Sequence, residues 1–228
     1  MAKKKTTNQQ PTAADGAPPD EGSVHISIRP PNFGHLSVLI TGTAPYVQNR
    51  FGHKAREQMH AAQEAGSQRN KQRGKRDAKD FKACYEDAKH VTQDGWCGIP
   101  AASFRNAMIS ACRLCGFKMT HAKLAVFIEA DGFGTDGTPL VRITKGKPEY
   151  YEAPVRNATG VCDLRARPMW REGWQSVLRI RYDADVFSPD DVINLLERAG
   201  QQVGIGEGRA DSRKSCGLDF GFFTVTKR

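Results

Sequence analysis

A chain of 228 residues with 39% hydrophobic and 26% charged side chains is long enough to bury a substantial core, and one elaborated domain is the simplest organisation. No uninterrupted apolar stretch approaches the ~20 residues of a membrane-spanning helix, so no membrane partner is expected. The formal charge of +9 favours a polyanionic partner, because clustered Lys and Arg release counterions from phosphates on binding; charge alone does not separate RNA from DNA, or either from an acidic protein.

The first 23 residues, MAKKKTTNQQPTAADGAPPDEGS, are basic and then rich in Pro, Gly, Ala and polar residues, without an apolar block to serve as a secretory signal. They are expected to be a disordered tail on a cytoplasmic chain. The six cysteines are too sparse for a disulfide framework and are expected to be reduced thiols.

HLSVLITG, from His35 to Gly42, reads as a buried strand. The stretch from His53 to Lys89 is polar, helix-permissive and almost without aliphatic residues, which predicts a largely helical insertion, at about 50–92, rather than core. Within it SQRNKQRGKR carries Arg69, Lys71, Arg73, Lys75 and Arg76 and no acid; it is either a phosphate-binding arm or a solvated loop.

In GIPAASFRNAMISACRLCGF, Ser103 is placed to cap a helix whose Phe104, Ala107, Met108, Ala111 and Leu114 share one face, and Gly116 is a natural stop. Cys112 and Cys115 form a C-x-x-C pair but lack a second ligand pair. They read as buried small hydrophobes, and neither a metal nor another cofactor is expected.

KLAVFIEAD and TPLVRITKG, Lys123 to Asp131 and Thr138 to Gly146, are predicted strands forming an antiparallel pair across the turn residues of DGFGTDG. Tyr150 to Arg171 reads as irregular and basic; in it Arg165 and Arg167 project to one side, as a phosphate clamp or a solvated edge. WQSVLRIRYD alternates a buried face with one that carries Arg179 and Arg181. SPDDVINLLERAGQQ is a helix with Ser188 as N-cap and Pro189 in the first turn.

VGIGEGRADSRKSCGLDFGFFTV then places Gly204, Gly206 and Gly208 beside Arg209, Arg213 and Lys214, ahead of a terminal strand. A dinucleotide fingerprint needs a strand before the glycines and a helix after them, the reverse of the order here, and no phosphate-loop motif for a nucleoside triphosphatase occurs in the chain. Phe220, Phe222 and Phe223 are either a base-stacking platform or core. Six scattered histidines and several loop aspartates leave any catalytic residue unknown, since no spacing marks a pair. The element order approximates a βαββαβ, ferredoxin-like α+β plan.

GIPAASFRNAM and VGIGEGR…GLDFGFF together resemble the two signatures of the repeat-associated (RAMP) superfamily, RRM-like proteins that form the backbones and processing enzymes of CRISPR RNA complexes; Ala101 and Asn106 stand where that family usually has glycine. The resemblance covers about His35 to the C-terminus, within a RAMP-like domain at 24–228. It implies binding of single-stranded RNA or DNA by Arg105, Arg209 and the glycine loop, with the insertion akin to the variable arms of backbone subunits; a non-catalytic binder, in a homo-oligomer or ribonucleoprotein, is the first expectation. An endoribonuclease and a recruiting subunit for an acidic protein are the alternatives.

Overall fold

Alternation along β1 (Phe33–Gly42) turns Val38 and Ile40 into the interior and leaves His35 and Ser37 exposed, as a strand with one packed face requires. This computed structural model describes residues 28–64, 66, 78–156, 162–211 and 218–227. The chain divides into two units, Met1–Pro30 and Pro31–Arg228. Of the first only 28–30 is described, as exposed backbone without regular structure, so the expected tail lies outside the described residues.

The second unit is α+β, with antiparallel sheets. Its central strand is β9 (Gln175–Asp183), whose Ser176, Leu178, Ile180 and Tyr182 are buried while Arg179 is exposed. On one side β9 pairs with β1, in the register Val38↔Leu178, and β1 pairs in turn with β10 (Phe223–Lys227), Ile40 facing Val225. On the other side it pairs first with β4 (Val126–Glu129) and then, further along, with β6 (Pro139–Lys145). β6 carries the short strands β3 (Gly98–Pro100) and β5 (Gly132–Phe133). The two apolar segments expected to pair with each other are therefore both partners of β9. The first begins later than expected, since Lys123 to Ala125 end the helix α4 (Met119–Ala125).

One face of this sheet is covered by α3 (Ala101–Ala111) and α5 (Pro189–Arg198). Phe104, Ala107, Met108 and Ala111 from α3 and Val192, Leu195 and Leu196 from α5 meet Val38, Ile40, Leu178, Ile180 and Phe223 in one core, whose large side chains each contribute roughly 1.5–3 kcal/mol on burial. Phe104 packs edge-on against Phe223, with 5.9 Å between ring centres. The apolar stripe of α3 stops short of Leu114, which is 51% exposed because the chain tightens at Cys112–Leu114 into a 3-10 turn before Gly116 reverses it at φ 69°. Ser103 is not the cap: the helix starts two residues earlier, directly after Pro100. Ser188 does cap α5, in a reciprocal arrangement where its Oγ accepts from the Asp191 backbone N–H and the Asp191 carboxylate accepts from the Ser188 N–H.

The described residues between Tyr150 and Trp170 are not irregular. They form the hairpin of β7 (Glu149–Arg156) and β8 (Cys162–Trp170), which with β2 (Tyr46–Val47) makes a second, three-stranded sheet. Buried Ala166, Pro168 and Trp170 alternate with half-buried Arg165, Arg167 and Met169, a period of two that the local excess of arginine disguises. Tyr46 joins the sheets through its ring contacts with Trp170 and Trp174, at 5.6 and 5.5 Å.

Within 50–92 two helices are described, and 50–52, 78–80 and 88–92 are not helical. α1 (His53–Glu64) buries none of its described side chains, and α2 (Phe81–Asp87) packs on β8. Tyr85 donates to the Pro148 carbonyl and stacks near Tyr150, and Lys79 pairs with Asp163.

Phe104→Ala is expected to lower the unfolding free energy by about 3–5 kcal/mol, the range for emptying a packed aromatic site. Urea denaturation measures this directly, and a loss below about 1 kcal/mol would place Phe104 outside the core.

Candidate functional site

The polar face of α3 carries Ser103, Asn106 and Ser110, spaced i, i+3 and i+7 and so aligned along one side of the helix. Opposite them runs the glycine loop that leaves α5 through a π-type turn at Ala199–Val203. Between helix and loop lies a groove floored by Ala107, Val203 and Ile205 and walled by Gly204, Gly206, Arg209 and Asp211. It continues past Ser103, Gly206 and Arg209 into a second depression lined by Gln48, Asn49, His90 and Pro100.

The loop is built by backbone contact. Ile205 N–H donates to Gly221 O (3.1 Å), Gly221 N–H to Pro45 O (2.7 Å) and Glu207 N–H to Val47 O (2.9 Å). Gly206 and Gly221 have φ of 81° and 74°, a region in which a side chain is strained. A Cβ at Gly206 would sit 2.5 Å from the Val47 carbonyl oxygen, and one at Gly221 would sit 1.8 Å from that of Ile205. The space these glycines leave is thus filled by the protein itself, and the groove is opened by the course of the loop rather than by bare glycine surfaces.

Charges around the groove are organised in pairs. Arg167 Nε donates to the Glu207 carboxylate at 2.7 Å, a largely buried contact that ties β8 to the loop. Arg113 holds Asp211 at 2.6 Å at the far end. Burial alone would raise the Asp211 carboxyl, but hydrogen bonds from Arg113 and Ser110 and the charges of Arg113 and Arg209 outweigh it and hold it below its ordinary range. Arg209 donates to Gly206 O at 3.0 Å and lines both depressions. Pro100, the N-cap of α3, makes no side-chain capping bond, and Pro100 and Ser103, at the positive end of the helix, line the second depression.

At the other end Gln48 is buried, and its amide donates to Gly98 O at 2.7 Å while its oxygen accepts from the His90 N–H at 2.9 Å. Burial holds the Tyr46 phenol protonated far above its ordinary range, against a smaller opposing effect from Gln48. His90 Nδ1 is enclosed without a hydrogen-bond partner among the described residues. Burial lowers the His90 pKa; Asp136 opposes this, and Arg50 and Arg56 reinforce it. Arg56, on α1, reaches Asp136 at 3.2 Å and Arg50 reaches Thr135 at 3.3 Å, which anchors the base of the insertion beside the depression.

Of the residues expected from sequence, Gly204, Gly206 and Arg209 line the groove, while Gly208 (φ 80°) shapes its loop and Arg167 braces it. Arg165 lies on the same side of β8, 3.8 Å from Asp163. Arg105 does not join them. It turns away from the loop to donate to the carbonyls of Val126 and Lys123 and to lie over the Phe127 ring. Arg69, Lys71, Arg73, Lys75, Arg76, Arg213 and Lys214 lie outside the described residues. Of the three phenylalanines, Phe223 is core; Phe220 is half-buried and packs edge-on near Tyr151.

Sequence reading missed the Ser103, Asn106 and Ser110 stripe, although its helical spacing was open to view. It also missed Gln48 and His90, which no local pattern relates to α3. The Cys112 and Cys115 thiols point back to the Met108 and Ala111 carbonyls, and no group of three or more His, Cys, Asp or Glu among the described residues could hold a metal ion. A scan against protein-family models and a search of curated proteins each found no match.

His90 is expected to titrate below its ordinary 6.5, with the neutral form dominant at pH 7, which an NMR titration of its ring protons reads directly; a midpoint at or above 6.5 would contradict its burial. Because the folded value for Asp211 is depressed, its contribution to stability is complete above the unfolded carboxylate pKa, about 4, and is lost as pH falls through the lower folded value. Asp211→Asn should flatten that acid limb in denaturation profiles recorded across pH.

Proposed function

We propose that this protein binds single-stranded nucleic acid, RNA in preference to DNA, without cleaving it. The observation that carries the reading is the groove, in which a stripe of hydroxyl and amide side chains, the N-terminal turn of α3 behind Pro100 and Arg209 converge. Its two acids, Glu207 and Asp211, are each neutralised by an arginine, so the helix terminus and Arg209 set the local potential in favour of phosphate. Ser and Asn offer both donors and acceptors, which suits the 2′-hydroxyl that distinguishes RNA.

Topology supports the same reading. The strand order β10-β1-β9 followed by β4, with α3 between β1 and β4 in sequence and α5 between β9 and β10, supports reading the core as a split βαββαβ, ferredoxin-like plan. That plan is the one the RAMP resemblance implies, with the glycine loop leading to the last strand. The helical insertion is rooted beside the groove by Arg56 and Asp136. A place in a multimerising ribonucleoprotein follows from the resemblance.

One observation favours an endoribonuclease as the second reading: His90, kept neutral by its surroundings, lines the same groove as Ser103 and Arg209, and a neutral imidazole is a competent general base. Prolonged incubation with labelled RNA separates the two. Intact RNA supports binding alone, while products that disappear in His90→Gln support cleavage.

Single-stranded RNA should bind with an affinity that falls as salt rises, and Arg209→Gln should weaken it and reduce the slope of log K against log salt by about 0.7, the value for one phosphate contact on a single strand. Fluorescence anisotropy at several salt concentrations measures both. Salt-independent binding, or none, would overturn the proposal.

A further inference from the structure

The face of the main sheet opposite α3 and α5 carries a second cluster. Phe33 on β1 and Phe127 on β4 meet edge to face, with centres 6.0 Å apart and planes at 83°. The Arg181 guanidinium from β9 lies against both rings, 4.8 Å from Phe33 and 5.0 Å from Phe127. Arg105 wraps round the edge of β4 to approach Phe127 at 5.2 Å. Register places them together, since Phe127 and His35 both pair with Arg181, and Phe33 pairs with Asp183.

Electrostatically the cluster differs from its neighbours on the same face. Arg179 is neutralised by Glu129 and Asp131, and His35 also meets Glu129. Asp183, at the end of β9, accepts from the Asp185 N–H. Among the described residues Arg181 instead has its Nε enclosed with no hydrogen-bond partner, and two aromatic rings rather than a carboxylate lie near its guanidinium. Phe33 remains 38% exposed. A surface that presents a partly exposed aromatic ring beside a guanidinium close to two rings matches a nucleobase, which brings a π-face to stack, polar edges for the guanidinium and a phosphate for its charge.

We infer that Phe33, Phe127 and Arg181 form a base-stacking platform for a single strand, distinct from the groove between α3 and the glycine loop. The inference rests on the nucleic-acid reading of that groove and adds a second contact to it. The groove adjoins Tyr46, just past the end of β1, whereas Phe33 begins that strand. The two sites are therefore separated by about the length of ten extended residues, roughly 30 Å, and a ligand must be long to occupy both.

The test compares a uridine oligomer of about 16 nucleotides, at the upper end of site sizes for one strand-binding domain, with an abasic oligomer of equal length and charge. Both are titrated against the full chain, Phe33→Ala and Phe33→Trp, with thermal melts to verify that each variant is folded. Wild type and Phe33→Trp should favour the base-bearing strand, and Phe33→Ala should lose roughly 5- to 150-fold on that strand alone, the equivalent of one stacked base. Salt-dependent binding by wild type that is equal for the two strands, or a Phe33→Ala loss equal on both, would overturn the platform and leave the groove standing. Failure of wild type to bind either strand would overturn both.

Discussion

The close approach of the glycine loop to the backbone of β2 and to its own returning segment is the constraint on which the candidate site depends. Gly206 packs against the Val47 carbonyl and Gly221 against that of Ile205, distances that exclude any Cβ and select the positive φ both residues adopt. With the loop pressed inward at these two points, Ile205 and Val203 enter the core and Arg209 is carried to the rim facing α3. A bulkier residue at either point would push the loop outward, and the groove would lose one wall.

Ion pairs complete what the glycines begin. Arg167 and Glu207 fasten the loop to the second sheet, and Arg113 and Asp211 fasten it to the end of α3. The first pair is largely buried, where loss of one partner strands the other charge and is more costly than the pair is stabilising; the second is partly exposed and correspondingly weaker. Together they explain how a chain of high net positive charge places two acids beside the groove: these acids order the loop and are neutralised where they stand.

The main sheet separates two kinds of surface. Its inner face is consumed by α3, α5 and the core, while its outer face keeps Phe33, Arg179 and Arg181 within reach of solvent. Edge groups are managed differently at its two ends: Glu197 accepts the outward N–H of Val225 on β10, and Arg105 braces β4 through neighbouring carbonyls. Arg105 illustrates how a side chain of the expected type takes a structural post because its position on the helix faces β4 rather than the loop.

Local chemistry alone determined a good deal of this protein. The alternation of β1 and β9, the Ser188 cap of α5, the buried stripe of α3 and the polar character of the insertion follow from periodicity and capping, which act within a few residues. The hairpin of β7 and β8 was hidden because arginines occupy its half-buried face, and the pairing of β4 and β6 with β9 rather than with each other is a long-range choice no short window contains. Which polar side chains share a groove was likewise decided by the tertiary structure. Gln48, His90, Ser103 and Arg209 come from four separate segments, and Phe33, Phe127 and Arg181 from three strands. They meet only because burying the inner face of the sheet fixes the register of every strand, and with it the side chains presented on the outside.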